Sequence, residues 1–184
     1  FIEGKFCMLK PIVDYAKKYQ RGFGVCAVSR NYALEASLKH TVLWGLPELR
    51  GIENCMPEGE RMAALADASE YMESRRKAKL FVQQKYGLKE NPDARMFVFV
   101  GRWVKQKGVD HIAMLTPTLL RTHPEVQIIL AGPPDDACGL YAQELLAPVV
   151  PEFPGRLFVC TEFFALPGEL RRGAHLCFTP SCSE

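Results

Sequence analysis

The sequence predicts an α/β protein built on a parallel sheet, and three observations carry that expectation. From residue 96 onward short apolar runs (96–100, 126–130, 157–161 and 175–179) alternate with segments of helical period. That β-α-β-α-β-α-β order is what right-handed crossovers between parallel strands produce. The runs are almost continuously apolar rather than alternating, as strands covered on both faces are. The loop behind the first run carries Arg102, Lys105 and Lys107, at the strand end where open α/β sheets hold their ligands.

Composition is that of an ordinary globular protein: 184 residues, 48% hydrophobic, 24% charged, with a formal net charge of +2. Such a balance gives no case for nucleic acid. No apolar run approaches the ~18 residues that span a bilayer, and Phe1-Ile-Glu-Gly-Lys5 lacks a signal-peptide pattern. The seven cysteines, Cys7, Cys26, Cys55, Cys138, Cys160, Cys177 and Cys182, are odd in number and form no CxxC pair. They read as reduced thiols of a cytoplasmic protein. His40, His111, His123 and His175 lack ligand spacing, so no metal is expected.

In chain order, Met8, Ile12, Tyr15, Ala16 and Tyr19 fall at helical spacing and predict a helix over 7–19. Gly22-Phe-Gly-Val-Cys-Ala27 matches GxGxxA, but a helix precedes it and an apolar strand, 25–28, lies within it. A dinucleotide fingerprint needs the reverse order, so these glycines read as a turn. Ser29 is placed to cap a helix over 31–39. A short strand at 49–57 ends in a polar turn, and 57–61 has linker composition. The expected organisation is therefore one domain end at 1–56, a linker at 57–66 and a second domain at 67–184.

Asp67-Ala-Ser-Glu70 fits a capping box, opening a helix through Lys85 that Gly87 can terminate. Asn91-Pro92-Asp93 is a turn before the first long strand. Gly101 ends that strand, and Gly108 leads into a helix marked by Val109, Ile112, Ala113 and Leu115. The second strand ends in Ala131-Gly-Pro-Pro-Asp135, and helices are expected at 141–149 and 169–172. A buried strand at 175–179 with no helix after it would leave a sheet face bare, so the sequence is expected to be a piece of a longer chain.

Arg102, Lys105 and Lys107 beside a helix N-terminus could hold an anion, because free N–H groups and the positive dipole end add to the side-chain charge. A solvated basic turn fits the same residues.

Val-Gly-Arg-Trp-Val-Lys-Gln-Lys-Gly-Val-Asp110, Ile-Ile-Leu-Ala-Gly132 and Gly-Ala-His-Leu-Cys-Phe-Thr-Pro-Ser-Cys-Ser-Glu184 resemble successive signatures of the glycogen and starch synthase type of retaining glucosyltransferase. Leu-Lys-Pro11, Tyr-Ala-Lys17, Ala-Val-Ser-Arg-Asn-Tyr-Ala-Leu-Glu35 and Gly-Ile-Glu-Asn54 resemble the end of that family's N-terminal domain. The segments around Trp103 and Pro133-Pro134-Asp135-Asp136 are most similar to the synthase domain of fungal cell-wall α-1,3-glucan synthases.

The resemblance implies a GT-B architecture of two Rossmann-like domains, here the end of the first and a truncated second. It also implies glucose transfer with retention from UDP-glucose or ADP-glucose to a growing α-glucan, without a metal or other cofactor. Arg102 and Lys107 match the family's diphosphate-binding cations. Fixed cations there would stabilise the charge that grows on the departing phosphate, and a guanidinium offers a bidentate fork that an ammonium cannot copy. Glu184 matches the glutamate set against the donor sugar. Gly101, Gly132, Asn54 and Phe163 match positions on the donor side, although a turn role for Gly132 and Asn54, and a core role for Phe163 or Phe164, fit as well. Trp103 reads as packing.

The family's Lys-x-Gly-Gly-Leu element and the glycine-rich stretch beyond Glu184 do not occur in the sequence. The isolated chain is therefore expected to be inactive, and the full-length protein to work at the cytoplasmic face of the plasma membrane. A non-catalytic copy of the synthase fold and a nicotinamide-dependent oxidoreductase are the rival readings. The latter lacks GxGxxG after the strand at 96–100 and an acidic residue ending the second strand, and GxxxxGK[ST] is absent.

Overall fold

A computed structural model describes residues 6–55 and 67–181, in two compact units, Phe1–Met62 and Ala63–Glu184. In the first unit, α1 (Leu9–Tyr19), β1 (Cys26–Ala27), α2 (Arg30–Lys39) and β2 (Arg50–Gly51) follow in order, with a 3-10 turn at Thr41–Leu43. The two strands pair in parallel, Cys26 opposite Arg50 and Ala27 opposite Gly51. Ser29 caps α2 as its position predicts, its hydroxyl accepting from Tyr32 N–H at 3.1 Å. Gly22 and Gly24 have φ of 84° and 98°, which is turn geometry. Of the residues at helical spacing in α1, Met8, Ile12, Tyr15 and Tyr19 are exposed and Ala16 is buried, and Val13 packs with Ala36 and Leu43 in a small core.

The second unit opens with α3 (Ala68–Lys85), and the Asp67 carboxylate accepts from Glu70 N–H at 2.8 Å. Then come β3 (Arg95–Val100), α4 (Val109–Thr122), β4 (Val126–Ala131), α5 (Ala137–Leu146), β5 (Leu157–Cys160), α6 (Gly168–Gly173) and β6 (Leu176–Cys177). The strands form one parallel sheet in the order β5-β4-β3-β6. Side chains alternate across it. Phe99, Ile128 and Leu130 pack with α4 and α5, whereas Met96, Val98 and Ile129 pack with Val82 of α3 and Leu170 of α6. All six residues of β4 are buried, which is why the run is continuously apolar.

Two elements depart from the sequence reading. Helix α5 starts four residues earlier than expected because Asp136 caps it, and it stops at Leu146, ahead of Pro148, which has no N–H to continue the ladder. β6 is two residues long, shorter than the expected 175–179. It is an edge strand, and at its start the His175 ring, rather than a backbone carbonyl, accepts from Met96 N–H at 3.1 Å.

The strand order fixes where a ligand can sit. Growth runs outward from β3 to β4 and β5, then returns to the other side of β3 for β6. The crevice between the carboxyl ends of β3 and β6 is thus a topological switch point.

Candidate functional site

The loop leaving β3 at that switch point is stitched to the loop leaving β4. Gly101 N–H donates to Ala131 O at 3.0 Å, Trp103 N–H to Pro133 O at 2.8 Å, and Asp135 N–H to Trp103 O at 3.1 Å. Glycine is required on the β4 side: Gly132 has φ 141°, and a Cβ there would lie 1.8 Å from Gly101 O. The close approach that Gly132 permits is thus made by the neighbouring loop. A Cβ on Gly139 would lie 2.0 Å from Trp103 O. Trp103 itself is fully buried among Val109, Ile112 and Ala142, a packing residue as its apolar surroundings require.

Beyond Trp103 the chain makes one 3-10 turn, Lys105–Lys107, and ends it at Gly108 with φ 65°. A Cβ on Gly108 would lie 2.6 Å from Pro180 O, so the loop after β6 rests against the start of α4. No side chain caps α4, and the first-turn N–H groups of a helix have no partner within it. Arg102 and Lys107 both lie on this loop. The Arg102 guanidinium is well exposed and sits 3.2 Å from the Asp135 carboxylate. Lys107 is half-buried and makes no ion pair among the described residues.

Asp136 holds the cationic turn in place. One of its oxygens accepts from Gly139 N–H at 2.9 Å and the other from Lys105 N–H at 2.8 Å. The bond from Lys105 N–H, with that from Gly139 second, holds the carboxyl below the usual carboxylate range. Sequence reasoning did not single out this residue. Its capping half had a signal, an aspartate three residues before Gly139 at the start of a helical segment; its second oxygen had none.

The remaining predicted residues are dispersed. Gly101 is half-buried at the end of β3. Phe163, after β5, is 87% exposed, and it is Phe164 that packs, against Tyr86 and Phe158. Asn54 is exposed after β2 in the first unit. Glu184 lies outside the described residues, as does the linker expected at 57–66. No group of three or more His, Cys, Asp or Glu able to hold a metal occurs among the described residues. Among them, too, no helix is long and apolar enough to cross a membrane.

The fold is that of part of a GT-B glycosyltransferase catalytic domain. It superposes on the catalytic domain of starch synthase IV from Arabidopsis thaliana, solved with ADP and acarbose, with a TM-score of 0.57 and 18% identity, over 86% of this chain and 34% of that one. The homologues of the chain are fungal cell-wall α-1,3-glucan synthases and glycogen synthases. It is 35% identical over 185 residues to the cell-wall α-1,3-glucan synthase mok12 of Schizosaccharomyces pombe, and 33% identical over 186 residues to ags1 of the same organism. Each match covers 97% of this chain, which spans 8% of the length of those relatives. A glycogen synthase of Exiguobacterium sibiricum is 34% identical over 106 residues, 54% of this chain and 21% of the relative. No family model matches.

Proposed function

We propose that this chain is part of a retaining glucosyltransferase that moves glucose from UDP-glucose to a growing α-glucan in the making of cell-wall α-1,3-glucan. One observation carries the reading: the loop bearing Arg102 and Lys107 leaves β3 at the switch point beside β6, next to the uncapped start of α4. A nucleoside diphosphate leaving group needs cations and N–H donors at such a strand end. Similarity over almost the whole chain to the fission-yeast α-1,3-glucan synthases supports the linkage.

In this reading Arg102 and Lys107 hold the pyrophosphate. Charge develops on the departing phosphate as the glucosyl carbon becomes oxocarbenium-like, so fixed cations stabilise the transition state more than the bound substrate. The resemblance assigns Glu184 to the donor sugar, and Gly101 and Phe163 to the donor side. No metal or cofactor takes part. The full-length protein acts at the cytoplasmic face of the plasma membrane, and the isolated chain makes no polymer.

The test is incorporation of radiolabelled glucose from UDP-glucose by the full-length protein, followed by periodate treatment of the product. A 1,3-linked chain has no vicinal diol and survives, whereas a 1,4-linked chain is cleaved. Similarity to the glycogen synthases favours an α-1,4 product as the second reading, and a periodate-sensitive polymer would select it. A wild-type protein that makes no polymer and binds neither UDP nor ADP would leave the non-catalytic module.

A further inference from the structure

The loop that carries the two cations is anchored at both ends by backbone. Gly101 and Trp103 donate to the β4 loop, and Gly108 abuts Pro180. Between them, the 3-10 turn closes on itself through Lys107 N–H to Val104 O at 2.9 Å and Gly108 N–H to Lys105 O at 3.0 Å. The start of that turn is tied to the α5 end of the domain by a side chain, the second oxygen of Asp136 accepting from Lys105 N–H across 31 positions of sequence.

We infer that Asp136 is a positioning residue: with one carboxylate oxygen on Gly139 N–H and the other on Lys105 N–H, it fixes where the turn presents Lys107 to the donor diphosphate. The inference rests on the functional reading above. Its physical basis is the number of acceptors. A helix cap needs one oxygen, and serine supplies one as well as aspartate does. Ser29 already does so at α2 in this molecule, through the same bond to the third residue onward. Serine at 136 would keep the α5 cap and lack the second oxygen, whereas alanine would lose both.

The pair Asp136→Ser and Asp136→Ala in the full-length protein separates the two roles. Hydrogen exchange read by mass spectrometry should show residues 104–108 exchanging faster in both variants, and the first turn of α5 exchanging faster in the alanine variant alone. Loss of a charge-assisted hydrogen bond that orders the turn should weaken UDP binding about tenfold in both. The KM for UDP-glucose should rise and the KM for the glucan acceptor stay constant. A merely unfolded fraction would instead lower kcat and leave both KM values alone.

Serine restoring UDP binding to within twofold of wild type would overturn the inference, as would unchanged exchange at 104–108 in the serine variant. Wild-type protein that binds neither UDP nor ADP would sink the functional reading, and the positioning of a diphosphate with it. The exchange measurement still decides, in that event, whether Asp136 orders the turn.

Discussion

Arg102 and Asp135 face each other from adjacent loops, a guanidinium nitrogen 3.2 Å from a carboxylate oxygen. Both side chains are more than half exposed, and exposed ion pairs contribute about 0–1 kcal/mol to stability. Replacing Asp135 by Asn should accordingly leave the urea midpoint almost unchanged. In the proposed function Asp135 competes with the donor phosphates for the same guanidinium, so the variant should bind UDP more tightly than wild type, by a few-fold. Weaker UDP binding in Asp135→Asn would show that the carboxylate orients Arg102 rather than competing for it.

Removing the guanidinium gives the opposite result. Arg102→Ala should lose a charged hydrogen bond of roughly 1.5–3 kcal/mol in the transition state, with stability little altered because the side chain is exposed. Turnover by the full-length protein within twofold of wild type would take Arg102 out of the site.

Gly132 and Gly87 offer a contrast in what a methyl group meets. At Gly132 an added Cβ would strike Gly101 O, a backbone atom that can move only if the β3–β4 stitching breaks; at Gly87, φ 65°, nothing lies within 4 Å. Gly87→Ala should lose about 1 kcal/mol, the left-handed backbone penalty alone. Gly132→Ala should lose at least ~2 kcal/mol and take the site loop with it. Denaturant midpoints measure both, and equal losses would mean the two loops separate freely.

What could be read from the sequence follows from how local each cause is. The run at 126–131 is apolar because β4 is covered on both faces, and Asp67 and Ser29 announce their helices through bonds spanning three residues. The place of β6 beside β3 comes from pairing between residues about 80 apart, which no period encodes. Arg102 and Lys107 were legible as charges next to a strand end. The strand order that makes that end a crevice was not, nor was the tie from Lys105 to Asp136. For α1 the spacing predicted the helix, yet of the residues that marked it only Ala16 is buried, since spacing alone does not say which stripe meets the core.

His175 should make stability depend on pH. Its Nδ1 accepts from Met96 N–H, which requires that nitrogen to be unprotonated. Desolvation, and then the positive charges of Lys79, Arg75 and Arg95, lower its pKa from 6.5. The folded state therefore binds fewer protons than the unfolded state once the pH falls below about 6.5. The contribution is fully present above that value and is lost as the pH drops toward the lower folded pKa. Melting temperatures across this window should fall more steeply for wild type than for His175→Gln. Parallel curves would exclude the ring as the group responsible.

Gln83 and Gln127 are buried polar side chains that satisfy one another. Gln83 Nε2 donates to Gln127 Oε1 at 2.8 Å, Gln127 Nε2 donates to Lys89 O at 2.7 Å, and Gln83 Oε1 accepts from Asn91 N–H at 3.0 Å. Gln83→Leu strands Gln127 Oε1 in the core between α3 and β4, at about 1–3 kcal/mol for the unsatisfied group. Gln127→Leu, by contrast, leaves Gln83 Nε2 one acceptor short but still bonded to Asn91 O. The double change removes both halves of the shared bond. A double-mutant cycle should therefore give a combined loss smaller than the sum by roughly 0.5–3 kcal/mol. Strictly additive losses in urea denaturation would mean that each amide is held by its backbone partners alone, and that the bond joining α3 to β4 contributes nothing to the rigidity of the sheet on which the site loop stands.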